Sequence, residues 1–102
     1  MPPDYDRLKH NVLNKQYLFT AHASSRVVQR NIASNEIEEV VIDGSVIEDY
    51  PDDKYSPSCL VMGQTKDARI LHVQVSYPPS VKIITVYEPS PDEWENDWKT
   101  RK

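Results

Sequence analysis

The chain has 102 residues, with 12 Lys and Arg against 16 Asp and Glu, one Cys, two Gly and eight Pro. At this length one modest hydrophobic core can form and two cannot, so residues 1–102 read as a single domain. Gly44 and Gly63 leave no place for a G-x-G-x-x-G dinucleotide loop or a P-loop, and Cys59 alone makes neither an internal disulfide nor a Cys-based zinc site.

No apolar run approaches the ~20 residues of a membrane span. The opening Met-Pro-Pro-Asp-Tyr-Asp lacks the basic start and apolar stretch of a signal peptide. The expectation is a cytoplasmic protein with no cofactor and no membrane partner. A net charge of −4 speaks against nucleic acid on average, but the charges are segregated. Residues 1–34 and 54–87 each balance to +3, residues 35–53 to −8 and residues 88–102 to −2.

In chain order, Tyr5, Leu8, Val12 and Leu13 fall near helical spacing, with Asp4 and Asp6 in the first turn where the dipole favours acids. Tyr17 to Thr20 is a short strand-like run, and Thr20 can cap a helix from His22 to Asn31 whose apolar stripe is Ala23, Val27 and Val28. His22, Arg26 and Arg30 recur every four residues along one edge of it. After a break, Ser34 or Asn35 caps a third helix through Val41, with Ile37, Val40 and Val41 inward and Glu36, Glu38 and Glu39 outward. Gly44 then ends it.

Val46 to Tyr50 reads as a strand and Pro51 to Pro57 as a polar connection. Three more strands follow, Cys59–Gln64, Arg69–Tyr77 and Val81–Glu88, joined by links short enough for an antiparallel meander. Ser90-Pro91-Asp92-Glu93 supplies a helix N-cap, an N1 proline and a reciprocal Glu, predicting a short C-terminal helix that docks Trp94 and Trp98. The fold class is α+β: N-terminal helices packed on a four- or five-stranded, mainly antiparallel sheet, closed by that helix.

Strand parity sorts the candidate chemistry, because alternate residues face opposite sides of a sheet. Leu71, Val73, Val75 and Tyr77 form one face, and Ile70, His72, Gln74 and Ser76 the other. On the last strand, parity puts Val81, Ile83, Thr85 and Tyr87 together, opposite Lys82, Ile84, Val86 and Glu88. His10, His22 and His72 sit on three different elements with no metal-ligand spacing, so no metal site is expected. Ser24 and Ser25 near His22 lack the strained turn of a catalytic serine, and Cys59 reads as a small core residue.

The constellation left is His22, Arg26 and Arg30 on the helix edge with His72 and Tyr87 on the sheet. Metal-free RNA cleavage needs a base for the 2′-hydroxyl, cationic donors for the phosphate and an acid for the leaving 5′-oxygen. His, Arg and Tyr are the residue types that supply them, with Arg the better phosphate clamp because its planar fork donates two parallel bonds. The competing reading gives each a structural role: a helix cap, ion pairs to Glu48 or Asp49, and a core aromatic.

Several blocks together resemble a bacterial family of unknown function. They are Thr20-Ala21-His22-Ala23 with Arg26, Arg30, Ile32 and Ser34, then Gly44 to Asp53, Pro57 to Gly63, Leu71-His72-Val73 and Ile84 to Pro89. The resemblance covers about residues 17–98. Members are similar to the RelE, MqsR and BrnT group of toxins from toxin–antitoxin systems. That resemblance implies a RelE-like scaffold and a metal-independent mRNA endoribonuclease acting by 2′-hydroxyl attack. It also implies a cognate antitoxin bearing a zinc finger or helix-turn-helix.

Carried over by position, His22, Arg26, Arg30, His72 and Tyr87 are the family-pattern polar residues. The chemistry of metal-free cleavage then makes His22 or His72 the acid/base and Tyr87 the group that orients the phosphate, the three catalytic candidates, with Arg26 and Arg30 the phosphate binders. The alternative is a non-catalytic interaction module, or a degenerate toxin, that binds a basic partner through its acidic segment at Glu48 and Asp49.

Overall fold

The computed structural model describes residues 5–54 and 56–102. Asp4 and Tyr55 lie outside the described residues. Among the described residues three helices precede the main sheet: α1 (Tyr5–Leu13), α2 (Ala21–Gln29) and α3 (Ser34–Asp43), with β1 (Leu18–Phe19) between the first two. Strands β2 (Ser45–Tyr50), β3 (Ser58–Gln64), β4 (Ile70–Ser76) and β5 (Lys82–Tyr87) follow. The five strands are ordered β1-β5-β4-β3-β2. β2 to β5 form the expected antiparallel meander, and β1 joins the far edge parallel to β5. This is the expected α+β class.

The helices cover one face of the sheet. Their buried contributions are Tyr5, Leu8 and Val12 from α1, Ala23 from α2, and Ile37, Val40 and Val41 from α3, against Cys59, Val61, Leu71, Val73, Val75, Ile83 and Val86. Fully burying each Val, Leu or Ile among them stabilises the fold by about 1.5–3 kcal/mol before conformational entropy is charged against it. Cys59 is fully buried, and burial pushes its thiol up to about 11, so it acts as packing.

Local signals explain the helix ends. The Thr20 hydroxyl accepts from the Ala23 amide at 3.1 Å, the cap expected for α2. For α3 the cap lies earlier than Ser34 or Asn35: Ala33 is the N-cap, and the Glu36 carboxylate accepts its amide at 2.9 Å. Gly44 is required by close approach, since a Cβ there would lie 2.3 Å from the Val40 carbonyl and 2.4 Å from that of Met62. Val28, placed in the core stripe of α2 from sequence, is 80% exposed. α2 buries a narrower stripe, Ala23 with Val27 beside it, because it packs only on β5 and the two-residue edge strand β1.

The C-terminal segment departs from expectation. It forms no helix; residues 89–102 fold back on themselves, with Trp94 bridged antiparallel to Arg101. Only the first turn keeps helical bonding, from the Glu93 and Trp94 amides to the Ser90 carbonyl. Asp97 then ends it: its carboxylate accepts from the Lys99 and Thr100 amides at 2.9 and 3.1 Å, a local competitor to helix bonding. A helix this short is marginal without a long packed face, and the fold-back buries Trp94 instead.

Two bulges decide which side chains face away from the helices. Between β4 and β5, Gln74 pairs with Thr85 but Val75 pairs with Ile83, so Ile84 is an extra residue. Between β2 and β3, Val46 pairs with Val61 and Glu48 with Leu60, so Ile47 is extra. A bulge reverses the facing of everything beyond it. Ile83 therefore lies in the core with Val86, while Thr85 and Tyr87 stand on the opposite face beside Gln74 and His72. The simple parity that grouped Ile83 with Tyr87 does not hold. No helix among the described residues is long and apolar enough to cross a membrane.

Candidate functional site

The sheet face away from the helices carries His72 and Gln74 from β4, Thr85 and Tyr87 from β5, and Glu48 and Tyr50 from β2. The fold-back of residues 89–102 lies over its middle. Trp94 meets the His72 ring edge-on at 4.4 Å between centroids, Arg101 stacks its guanidinium 4.6 Å from the Trp94 centroid, and Arg101 pairs with Glu48 at 2.7 Å.

His72 is fully buried and both ring nitrogens are engaged. Nε2 lies 2.6 Å from the Trp98 carbonyl, and Nδ1 lies 3.2 Å from the Tyr87 hydroxyl. A carbonyl only accepts, so Nε2 carries the proton. Burial holds the imidazole pKa below its usual value, so the ring is neutral and Nδ1 is an acceptor. The Tyr87 hydroxyl therefore donates to His72 and turns its oxygen lone pairs to the cavity in front of it. Trp98 adopts a left-handed backbone (φ 61°), a strain of order 1–3 kcal/mol for a non-glycine residue, where its carbonyl meets the imidazole.

That cavity, about 650 Å³, is lined by Tyr87 and Trp94, by Arg30, Arg69 and Arg101, and by Glu88 and Glu93. Glu36 and Glu88 pair with Arg69 and Glu48 pairs with Arg101, which leaves Arg30 as the guanidinium free to meet an anion. Arg30 reaches over from the end of α2 and donates to the Val86 carbonyl at 2.6 Å, with no carboxylate partner among the described residues. Arg69 is tied to Glu88 and Glu36 and to the Asn31 and Arg30 carbonyls at 2.9 and 2.8 Å. It thereby fixes the break between α2 and α3. Burial raises the Tyr87 pKa, so this hydroxyl keeps its proton at neutral pH.

The structure thus brings His72, Tyr87 and Arg30 together. His22, exposed in the first turn of α2, lines a second cavity of about 700 Å³ with Thr20, Gln74, Lys82, Ile84 and Thr85. Arg26 lines neither cavity and donates to Gln29 at 2.7 Å along its own helix. Spacing along α2 put His22, Arg26 and Arg30 on one edge, but that edge runs from one cavity to the other. Arg69, Trp94 and Arg101 were not singled out as site residues from sequence. Each enters the cavity through a turn or the fold-back, which no periodicity marks.

Glu48 and Asp49 are engaged within the chain. Glu48 accepts from Arg101 and from the Tyr50 hydroxyl, and the Arg101 contact holds its carboxyl below the usual range. Asp49 accepts from the Tyr77 hydroxyl at 2.9 Å. The helical acids behave likewise: Glu38 pairs with Lys15 and Tyr17, and Glu39 accepts the Lys66 amide. The −8 segment serves largely as internal scaffolding. Among the described residues, no three His, Cys, Asp or Glu side chains converge as a metal site.

No curated protein and no solved structure matches the chain. A family model described as a domain of unknown function, DUF4258, matches residues 19–88, from β1 through the end of β5. α1 and the fold-back over His72 fall outside that span, while His22, Arg26, Arg30, His72 and Tyr87 fall inside it. Since the match takes in well over half of the sequence, the chain belongs to the DUF4258 family.

Proposed function

We propose that this protein is a metal-independent endoribonuclease of the toxin type, with its reaction centred on Tyr87. The observation that supports this reading is the Tyr87 hydroxyl donating into buried His72 at the floor of a cavity with three arginines. In the proposed reaction the substrate 2′-hydroxyl gives its proton to the Tyr87 oxygen as the Tyr87 proton passes to His72 Nδ1. The 2′-oxygen bonds to phosphorus and the bond from phosphorus to the 5′-oxygen breaks. The relay then returns one proton to the leaving 5′-oxygen, so the enzyme is restored and the product is a 2′,3′-cyclic phosphate.

The imidazolium formed in passing keeps donors toward both Tyr87 and Trp98, with Glu48 favouring its charge and burial and Arg101 opposing it, so it is short-lived. Arg30, which has no carboxylate partner among the described residues, contacts the phosphate. The earlier alternative, a docking surface at Glu48 and Asp49, gains no support from carboxylates already taken up within the chain. A cytoplasmic location and an antitoxin with a zinc finger or helix-turn-helix belong to the same proposal and rest on the toxin resemblance.

The test is cleavage of single-stranded RNA by purified protein in EDTA, with end-group analysis. Tyr87→Phe should lower the rate by about 10²–10⁴-fold, the range of general acid–base catalysis. Arg30→Ala should weaken RNA binding and flatten its salt dependence by roughly 0.7 in slope. Absence of cleavage with and without ribosomes, together with unaffected growth on expression, would overturn the proposal.

A further inference from the structure

The second cavity lies on the same sheet face as the first, and β5 connects them: Thr85 lines one and Tyr87 the other. Two residues along a strand span about 7 Å, the scale of one step along an extended nucleic-acid chain. Some polar groups of the second cavity are satisfied inside the protein. The Thr20 hydroxyl accepts from Ala23 and donates to the Ile84 carbonyl, and the Gln74 amide nitrogen donates to Asp53 and Ser58, each at 3.1 Å.

What remains for a ligand is specific. The bulge sets two consecutive side chains, Ile84 and Thr85, into the cavity, giving it apolar surface. Among the described residues, Gln74 Oε1 and the Ser56, Ser80 and Thr85 hydroxyls at this cavity have no hydrogen-bond partner. The exposed His22 ring and Lys82 stand at the same cavity. A slot with apolar surface, one amide acceptor, the Ser56, Ser80 and Thr85 hydroxyls and an imidazole able to stack suits a planar heterocycle with polar groups on its edge.

We infer that this cavity is a nucleobase subsite, holding the base of a nucleotide adjacent to the phosphate at Tyr87. The inference builds on the proposed ribonuclease reading and names its substrate more closely: an RNA whose base is unstacked and turned into the protein. Duplex RNA keeps its bases stacked and does not fill the slot. His22 then acts by stacking on the base rather than by moving a proton.

Two experiments separate this inference from the activity. With the native protein, an abasic residue on the subsite side of the cleaved bond should lower kcat/KM by roughly ten- to a hundredfold, the range for one lost base contact. In Thr85→Trp, which fills the slot, base and abasic substrates should be cleaved alike. Equal cleavage of both substrates by the native protein overturns the inference and leaves the ribonuclease reading standing. Separately, adenosine 5′-monophosphate titrated into the native protein and Tyr87→Phe should shift the amide resonances of His22, Ile84 and Thr85. Those shifts in a protein that cleaves nothing would retain the subsite and sink the ribonuclease reading. No shift at those residues overturns the subsite.

Discussion

Charging His72 requires its surroundings to be rearranged, so acidification tests the wiring of the site. The ring is fully buried, with Nε2–H donating to Trp98 and Nδ1 accepting from Tyr87. Protonation turns Nδ1 into a donor and forces the Tyr87 hydroxyl to rotate and accept. Because burial depresses the folded-state pKa, the unfolded chain binds more protons between that pKa and the ordinary value of 6.5. The His72 contribution is therefore complete above about pH 6.5 and is lost as pH falls through that window, with a ceiling of about 1.4 kcal/mol per pH unit for one proton. Urea unfolding followed by tryptophan fluorescence, from about pH 7.5 to about pH 5, measures it. The comparison protein is His72→Gln, whose amide can donate to Trp98 and accept from Tyr87 without titrating. Carboxylates and the other histidines cancel in the difference. Wild type should lose stability relative to His72→Gln below about pH 6.5. Superimposable pH profiles, or an imidazole that titrates by NMR at or above its ordinary value, would refute the reasoning.

Trp94→Ala removes a side chain that is 2% exposed and caps His72, and should cost about 3–5 kcal/mol in the denaturant midpoint. Arg101→Ala breaks the pair with Glu48, but the arginine side chain is 56% exposed, so the loss should stay below about 1 kcal/mol and shrink in high salt. Gly44→Ala places a methyl against the Val40 and Met62 carbonyls and should destabilise by about 1–3 kcal/mol, read by thermal or urea unfolding. A fully stable Gly44→Ala protein would mean that α3 does not approach β3 as closely as described.

Much of the scaffold was legible because its signals are local. Thr20 before a run without helix breakers caps α2, and short links between β-rich segments give the meander. The C-terminal segment misled for the same reason: Ser90-Pro91-Asp92-Glu93 is a sound helix start, yet burying Trp94 on His72 and turning at Asp97 satisfies more of the chain than a short helix does.

By itself, the sequence determined the element order as far as β5, the α+β class, the buried stripe of α3, and the absence of Gly-rich nucleotide loops, because each follows from residue types within a few positions of one another. Only the tertiary structure decided the site. Bulges at Ile47 and Ile84 depend on how neighbouring strands pair, and they set Glu48, Thr85 and Tyr87 on the face of His72. Ion pairs from Arg69 and Arg101 to acids far along the chain hold both guanidiniums at the cavity, and leave Arg30 as its guanidinium without a carboxylate partner among the described residues. Register and long-range pairing are properties of packed surfaces, and no local pattern carries them.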